Sequence, residues 1–199
     1  VIKMLIKEIF PVDKADKLLY YMAPFLVLIG SVGAFAFMPW NKGASILDFN
    51  VGVFLMSAIS SIGVVGVFIA GWSSNNKFSV VSAMRGAVQM ISYEMSLGLC
   101  LITAVILTGT MQLSGIVESQ ANGWLIFKGH IPAFIAFVVF LIAGNAEANR
   151  GPFDLAEAES ELTAGYHTEY SGMGVGFFSL AEYLNLFIVA GVAATVFLG

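Results

Sequence analysis

Three acidic side chains occupy positions that lipid would normally surround. Glu94, Glu147 and Glu182 each interrupt or border a long run free of Asp, Glu, Lys and Arg. A charge at the bilayer centre costs about 2.5 to 3.5 kcal/mol even on lenient insertion scales, so such residues face protein or enclosed water and usually serve a function. Glu94 lies about two to three turns inside its run, among Gln89, Ser92 and Ser96. Gly98, one turn further on, would let a neighbouring backbone approach and supply a partner or an enclosed water. Glu147 has an alternative as a helix end, because Arg150 three residues later can pair with it. Glu182 forms a short polar stripe with Ser179 and Asn185, three residues to either side. A carboxylate in a low dielectric can exchange protons near physiological pH at little cost, and that is the chemistry of a proton relay.

The second cluster is the segment from Gly144 to Gly174. Asp154, Glu157, Glu159 and Glu161 put four carboxylates in eight residues, with Arg150 the nearby cation and Glu169 downstream. Pro152 is expected to break the helix that carries Glu147, and a short helix is expected from Asp154. Asp154 and Glu157 have the spacing of a capping box, which would satisfy backbone amides and nothing more. On such a helix Leu155, Ala158 and Leu162 share one side, flanked by Glu157 and Glu161 on one edge and Glu159 on the other. It could seat on a partner and line a polar cavity at once. The ligand set does not suit a metal: there is no CxxC, HExxH or EF-hand loop, and His130 and His167 are the only histidines. Neither phosphate-binding glycine motif is present.

The elements that must position these groups are membrane helices. Of 199 residues, 58% are hydrophobic and 11% charged, about half the charged share of a soluble domain. One cysteine excludes a disulfide scaffold, and a net charge of −4 gives no basic footprint for nucleic acid. Charge-free runs cover Leu18 to Asn41, Phe49 to Asn76, Met95 to Val117, Gly129 to Ala146 and Tyr183 to Gly199. The reading is an all-α, polytopic membrane bundle with about five transmembrane helices at 18–40, 49–71, 86–110, 130–149 and 175–198. Residues 1–17 read as an amphipathic segment in the headgroup plane, with Ile2, Leu5, Ile6 and Ile9 on one face and Lys3 and Lys7 on another. Seven of the nine basic residues fall in the start, the Gly71 to Arg85 connection and residues 150–174, against two in the intervening connections, which puts the former on the cytoplasmic side. The chain begins at Val1 and stops within an apolar run, and reads as a piece of a longer protein.

The run EANRGPFDLAEAESELTAGYHTEYSGM, followed by FFSLAEYLN, resembles the cytoplasmic connection between the fifth and sixth spanning helices of the H subunit of bacterial NADH:quinone oxidoreductase, called subunit 1 in mitochondrial complex I. GWSSNNKFSVVSAMRGAVQMISYEMSLGL is similar to the preceding connection and helix, and IKMLIKEIFPVDKADKLLYYMAP to the segment entering the second spanning helix. The matches are collinear over nearly the whole chain, with small departures at Gly151, Ala156 and Ser179. The family's first spanning helix and the helices after the sixth have no counterpart.

The resemblance implies a subunit that anchors the hydrophilic arm and forms much of the chamber through which quinone, the substrate, reaches an iron–sulfur cluster. It implies no metal or flavin bound by this subunit, clusters and flavin being held by partner subunits. Partners would be the quinone-proximal hydrophilic subunits, the adjacent small membrane subunits and lipid, in a bacterial or organelle inner membrane. Arg85, Arg150, Asp154, Glu157, Glu159, Glu182 and Tyr183 fall on family positions of the quinone chamber. Glu94, Glu147, Glu161, Glu169 and again Glu182 fall on the acidic path leading from it. Two rival readings are the equivalent subunit of a ferredoxin- or deazaflavin-fed oxidoreductase or membrane-bound hydrogenase, and a proton-coupled transporter.

Overall fold

The computed structural model describes residues 2–10, 12, 14–40, 47–156 and 164–199, and no β-strand occurs among them. After a short α1 (Ile2–Ile6) come α2 (Lys17–Phe35), α3 (Gly52–Ser73), α4 (Lys77–Thr108), α5 (Leu113–Ser119), α6 (Leu125–Lys128), α7 (His130–Glu147) and α8 (Met173–Ala193), which continues as a π turn to Leu198. Five of these are long and apolar enough to cross a membrane: α2, α3, α4, α7, and α8 with its continuation. With no water to satisfy an open backbone in hydrocarbon, helices are the form available to runs of this composition.

Small residues set the packing. A Cβ on Gly30 of α2 would stand 2.8 Å from the backbone nitrogen of Gly63 on α3, so these two helices meet backbone to backbone. The outward faces are apolar, with Phe54, Met95, Ile106 and Ile131 all exposed, as suits contact with lipid tails. Two buried clusters fill the interior. One gathers the far ends of α2, α4 and α8 around Phe37, Leu101, Phe140 and Phe197. The other joins Tyr20, Val67, Ala83, Tyr170 and Phe178 toward the end of the bundle that carries most of the Lys and Arg.

Three local features depart from the sequence reading. The helix α4 begins at Lys77, nine residues before the expected span, because the Asn76 side chain caps it by accepting a hydrogen bond from the Phe78 amide at 3.0 Å. Its 32 residues make a rod of about 48 Å, well beyond a hydrocarbon core of about 30 Å, and Arg85 sits on that rod and not in a connection. The helix α7 stops at Glu147 ahead of Pro152, with Asn149 in the left-handed region at φ 50°; asparagine tolerates that conformation and so ends the helix earlier than proline would. The opening segment is helical only to Ile6. Beyond it the Phe10 amide donates to Ser171 Oγ, and Ser171 Oγ donates to the Glu8 carbonyl at 3.0 Å, fastening the segment to the residues that lead into α8. Leu5, Ile6, Ile9 and Phe10 stay exposed.

Candidate functional site

A hollow of about 60 Å³ lies among the spanning helices. Its polar lining is Ser57 and Ser60 from α3, Glu94 from α4, Glu147 from α7 and Asn185 from α8; Met56, Leu97, Leu101, Phe140 and Ile188 close the rest. The volume suffices for a few waters, and the polar groups can each give one a partner. Glu94 lies 17 residues along α4 from Lys77, about 26 Å from its start, so it sits deep in the bundle. Ser61 Oγ donates a hydrogen bond to Glu94 Oε1. Gly98 also borders the hollow, and a Cβ there would meet nothing within 4 Å. The close backbone approach expected at Gly98 does not occur; open space takes its place, the room that an enclosed water beside Glu94 needs.

Arg150 turns away from Glu147. Its Nε lies 3.3 Å from Glu182 Oε1, and its guanidinium stands over the Tyr183 ring, 4.8 Å from the centroid. The expected pairing within α7 and its end is thus replaced by one that ties the loop to α8. Guanidinium suits this double engagement, being planar, always charged and able to stack while it donates. Glu182 does not line the hollow; its neighbour on the expected polar stripe, Asn185, does.

Gln89 holds the loop from the other side. Its Nε2 is 2.7 Å from the Ala146 carbonyl, 3.2 Å from Asn149 Oδ1 and 2.5 Å from the Phe153 carbonyl, and the side chain is buried. Five residues further along α4 is Glu94, and between them Tyr93 meets Phe153 edge to face at 5.7 Å. Ser82 donates to the Ala156 carbonyl, and a Cβ on Gly86 would stand 2.9 Å from the Ala156 Cβ, so α4 presents a shallow seat for that residue. Asp154 and Leu155 are exposed and not helical, so the short helix does not begin at Asp154. Glu157, Glu159 and Glu161, and with them the capping box, lie outside the described residues.

The loop's return is pinned more heavily. Asn76 Nδ2 donates to Glu169 Oε1 at 2.6 Å, the Tyr20 hydroxyl donates to the Glu169 carbonyl at 2.8 Å, and the Tyr170 hydroxyl donates to the Tyr20 carbonyl at 3.1 Å. The Tyr20 and Tyr170 rings stack with parallel planes, 4.2 Å between centroids. Burial pushes the Tyr170 hydroxyl above its ordinary range, countered by its hydrogen bond with Ser73 and reinforced by Tyr20. Burial likewise holds His167 below its ordinary 6.5, against the pull of the Asp154 carboxylate. Arg85 is exposed on α4. Among the described residues, no group of three His, Cys, Asp or Glu side chains is placed to hold a metal ion.

The profile of the family described as NADH dehydrogenase matches residues 1–199. The chain belongs to that family. It is 69% identical over 199 residues to the H subunit of NADH-quinone oxidoreductase from Bacteroides thetaiotaomicron, covering all of this chain and 56% of that protein. It is 47% identical over 200 residues to the protein of that name from Rickettsia prowazekii and 43% identical over 206 residues to that from Paraburkholderia xenovorans, in both cases covering all of this chain and 58% of the relative. The chain spans little more than half the length of these relatives. With five apolar helices and relatives of this kind from bacteria, it is a multi-pass protein of the inner membrane.

Sequence reasoning found both acids of the hollow and missed the hydroxyls. Ser57, Ser60 and Ser61 were not singled out, since serine in a membrane helix commonly bonds to its own backbone. The one available signal was three hydroxyls within five residues of an apolar helix. Asn76 and Tyr170 gave no signal, because their roles depend on partners 93 and 150 residues away.

Proposed function

We propose that this chain is part of the membrane subunit of a proton-pumping NADH:quinone oxidoreductase, contributing to the quinone-access chamber and to the acidic path that couples quinone reduction to proton translocation. The observation that carries the reading is that Glu94 and Glu147, from separate helices, share one hollow with Ser57, Ser60 and Asn185, deep among helices that meet lipid on their outer faces. Family membership supports it, since the relatives are named as subunits of that enzyme.

In this reading quinone is the substrate, and the partners are the quinone-proximal hydrophilic subunits, which carry the flavin and iron–sulfur clusters, and the small membrane subunits alongside. Arg85, Arg150, Asp154, Glu157, Glu159, Glu182 and Tyr183 are the residues we assign to the chamber. Arg150 holds the loop in register through Glu182 and Tyr183. Reduction of quinone changes the charge beside the loop. Closely spaced carboxylates share their protons, so the acidic loop responds first, and protons are redistributed through Glu147 and Glu182 toward Glu94.

The test is Glu94→Gln in the assembled complex in membrane vesicles. The expected result is normal assembly with proton pumping reduced relative to quinone turnover; pumping at the wild-type ratio would remove Glu94 from the relay. In the same preparation, reduction of quinone by NADH favours this enzyme, and dependence on ferredoxin or a deazaflavin would favour the related oxidoreductases.

A further inference from the structure

Ser61 stands between two acceptors. Its Oγ lies 3.0 Å from the Ser57 carbonyl oxygen, one turn back along α3, and within hydrogen-bond reach of Glu94 Oε1 on α4. A serine hydroxyl has one hydrogen and two lone pairs, so it serves one of these oxygens at a time. An ionised carboxylate only accepts. It therefore takes the Ser61 hydrogen, and the Ser57 carbonyl goes without it. That loss is tolerable, because the Ser60 hydroxyl donates to the same carbonyl at 2.8 Å. A protonated Glu94 has a hydrogen of its own to donate to Ser61 Oγ, which leaves the Ser61 hydrogen for the Ser57 carbonyl. Both arrangements keep the heavy atoms where they are.

We infer that Ser61 is a positioning residue for Glu94, a hydroxyl that reverses its hydrogen bond as the carboxyl gains or loses a proton and so holds it against the hollow in both states. The proton travels between Glu94 and the hollow; Ser61 neither gains nor loses one. Among the described residues, the other titratable side chain lining the hollow is Glu147 from α7, while α8 presents Asn185 and α2 presents Ala34. The inference rests on the proposed relay role of Glu94, and it adds the group that keeps this acid in place.

The experiment uses the whole complex in native membranes with Ser61→Ala and Ser61→Thr, assembly being checked on a native gel. Infrared difference spectra between oxidised and quinol-reduced enzyme are compared, and the carboxylic acid band missing from Glu94→Gln is the one to follow. Loss of the Ser61 acceptor moves this band upward in wavenumber in Ser61→Ala and lowers protons pumped per quinone reduced, and Ser61→Thr restores both. An unmoved band in Ser61→Ala, or no band lost in Glu94→Gln, overturns the inference whatever happens to pumping. If the band moves while Glu94→Gln pumps at the wild-type ratio, the hydrogen-bond reversal stands and the relay reading fails.

Discussion

Arg150 shows how much one side chain can carry at the junction of loop and bundle, engaging the Glu182 carboxylate and the Tyr183 ring together. Lysine offers a point charge without the plane that stacks. Under the proposed function, Arg150→Ala should therefore lower quinone reductase activity of the complex severalfold without loss of assembly, with Arg150→Lys intermediate; undiminished turnover in both variants would leave Arg150 a structural role alone. His167 supplies a pH effect with a definite sign. Its proton affinity is lowered on folding, so the unfolded loop accepts a proton that the folded one refuses. The stability it contributes is complete above pH 6.5 and is lost as the pH falls from there through the folded value. Protection of the Gly165 to Tyr170 amides against hydrogen exchange, taken relative to their intrinsic rates at each pH, should fall across that window, and His167→Gln should remove this dependence; identical protection profiles in the two proteins would refute it. What was legible at this scale was charge out of place. Glu94 and Glu147 declare themselves in an apolar run, whereas the hydroxyl beside Glu94 belongs to another helix and looks like any packing serine.

Among the elements, α4 and the loop fit each other through absence of bulk. The seat under Ala156 exists because residue 86 has no side chain. Gly86→Val would put methyl groups into space that Ala156 occupies, an overpacking that costs about 1 to 3 kcal/mol. The loop segment at Phe153 to Ala156, which lies outside any helix, is what should yield: faster proteolysis near Phe153 and lower quinone turnover are expected, with the amount of subunit in the membrane little changed. Protease resistance equal to wild type would place the loop elsewhere. The run of apolar residues predicted that α4 exists and spans. It did not reveal the start, because Lys77 and Arg85 look like connection residues, and the Asn76 cap that recruits them into the helix is a side-chain geometry. The helix expected from Asp154 rested on local spacing, while Ser82 and Gln89 draw residues 153–156 into extended contact with α4 instead.

Over the molecule as a whole, seven of the eight basic residues among those described lie at one end, and the tyrosine-rich core and the loop lie there with them. That asymmetry predicts orientation. With Gly123→Cys, in the turn before α6, the new thiol should react with an impermeant maleimide from outside the inner membrane, and with Asp154→Cys, at an exposed position, only after permeabilisation; the reverse pattern would invert the topology. Composition alone was enough to predict an all-helical membrane bundle, but the hollow was not legible, since it arises where neighbouring helices fail to fill a volume together. The length of α4 has a mechanical consequence. One long member is clamped toward its Lys77 end at Ser82 and Gln89 and borders a void at Gly98. Past Gly98 the rod is buried again through Cys100, Leu101 and Ala104, so it bridges the void from two fixed sides and keeps that volume open.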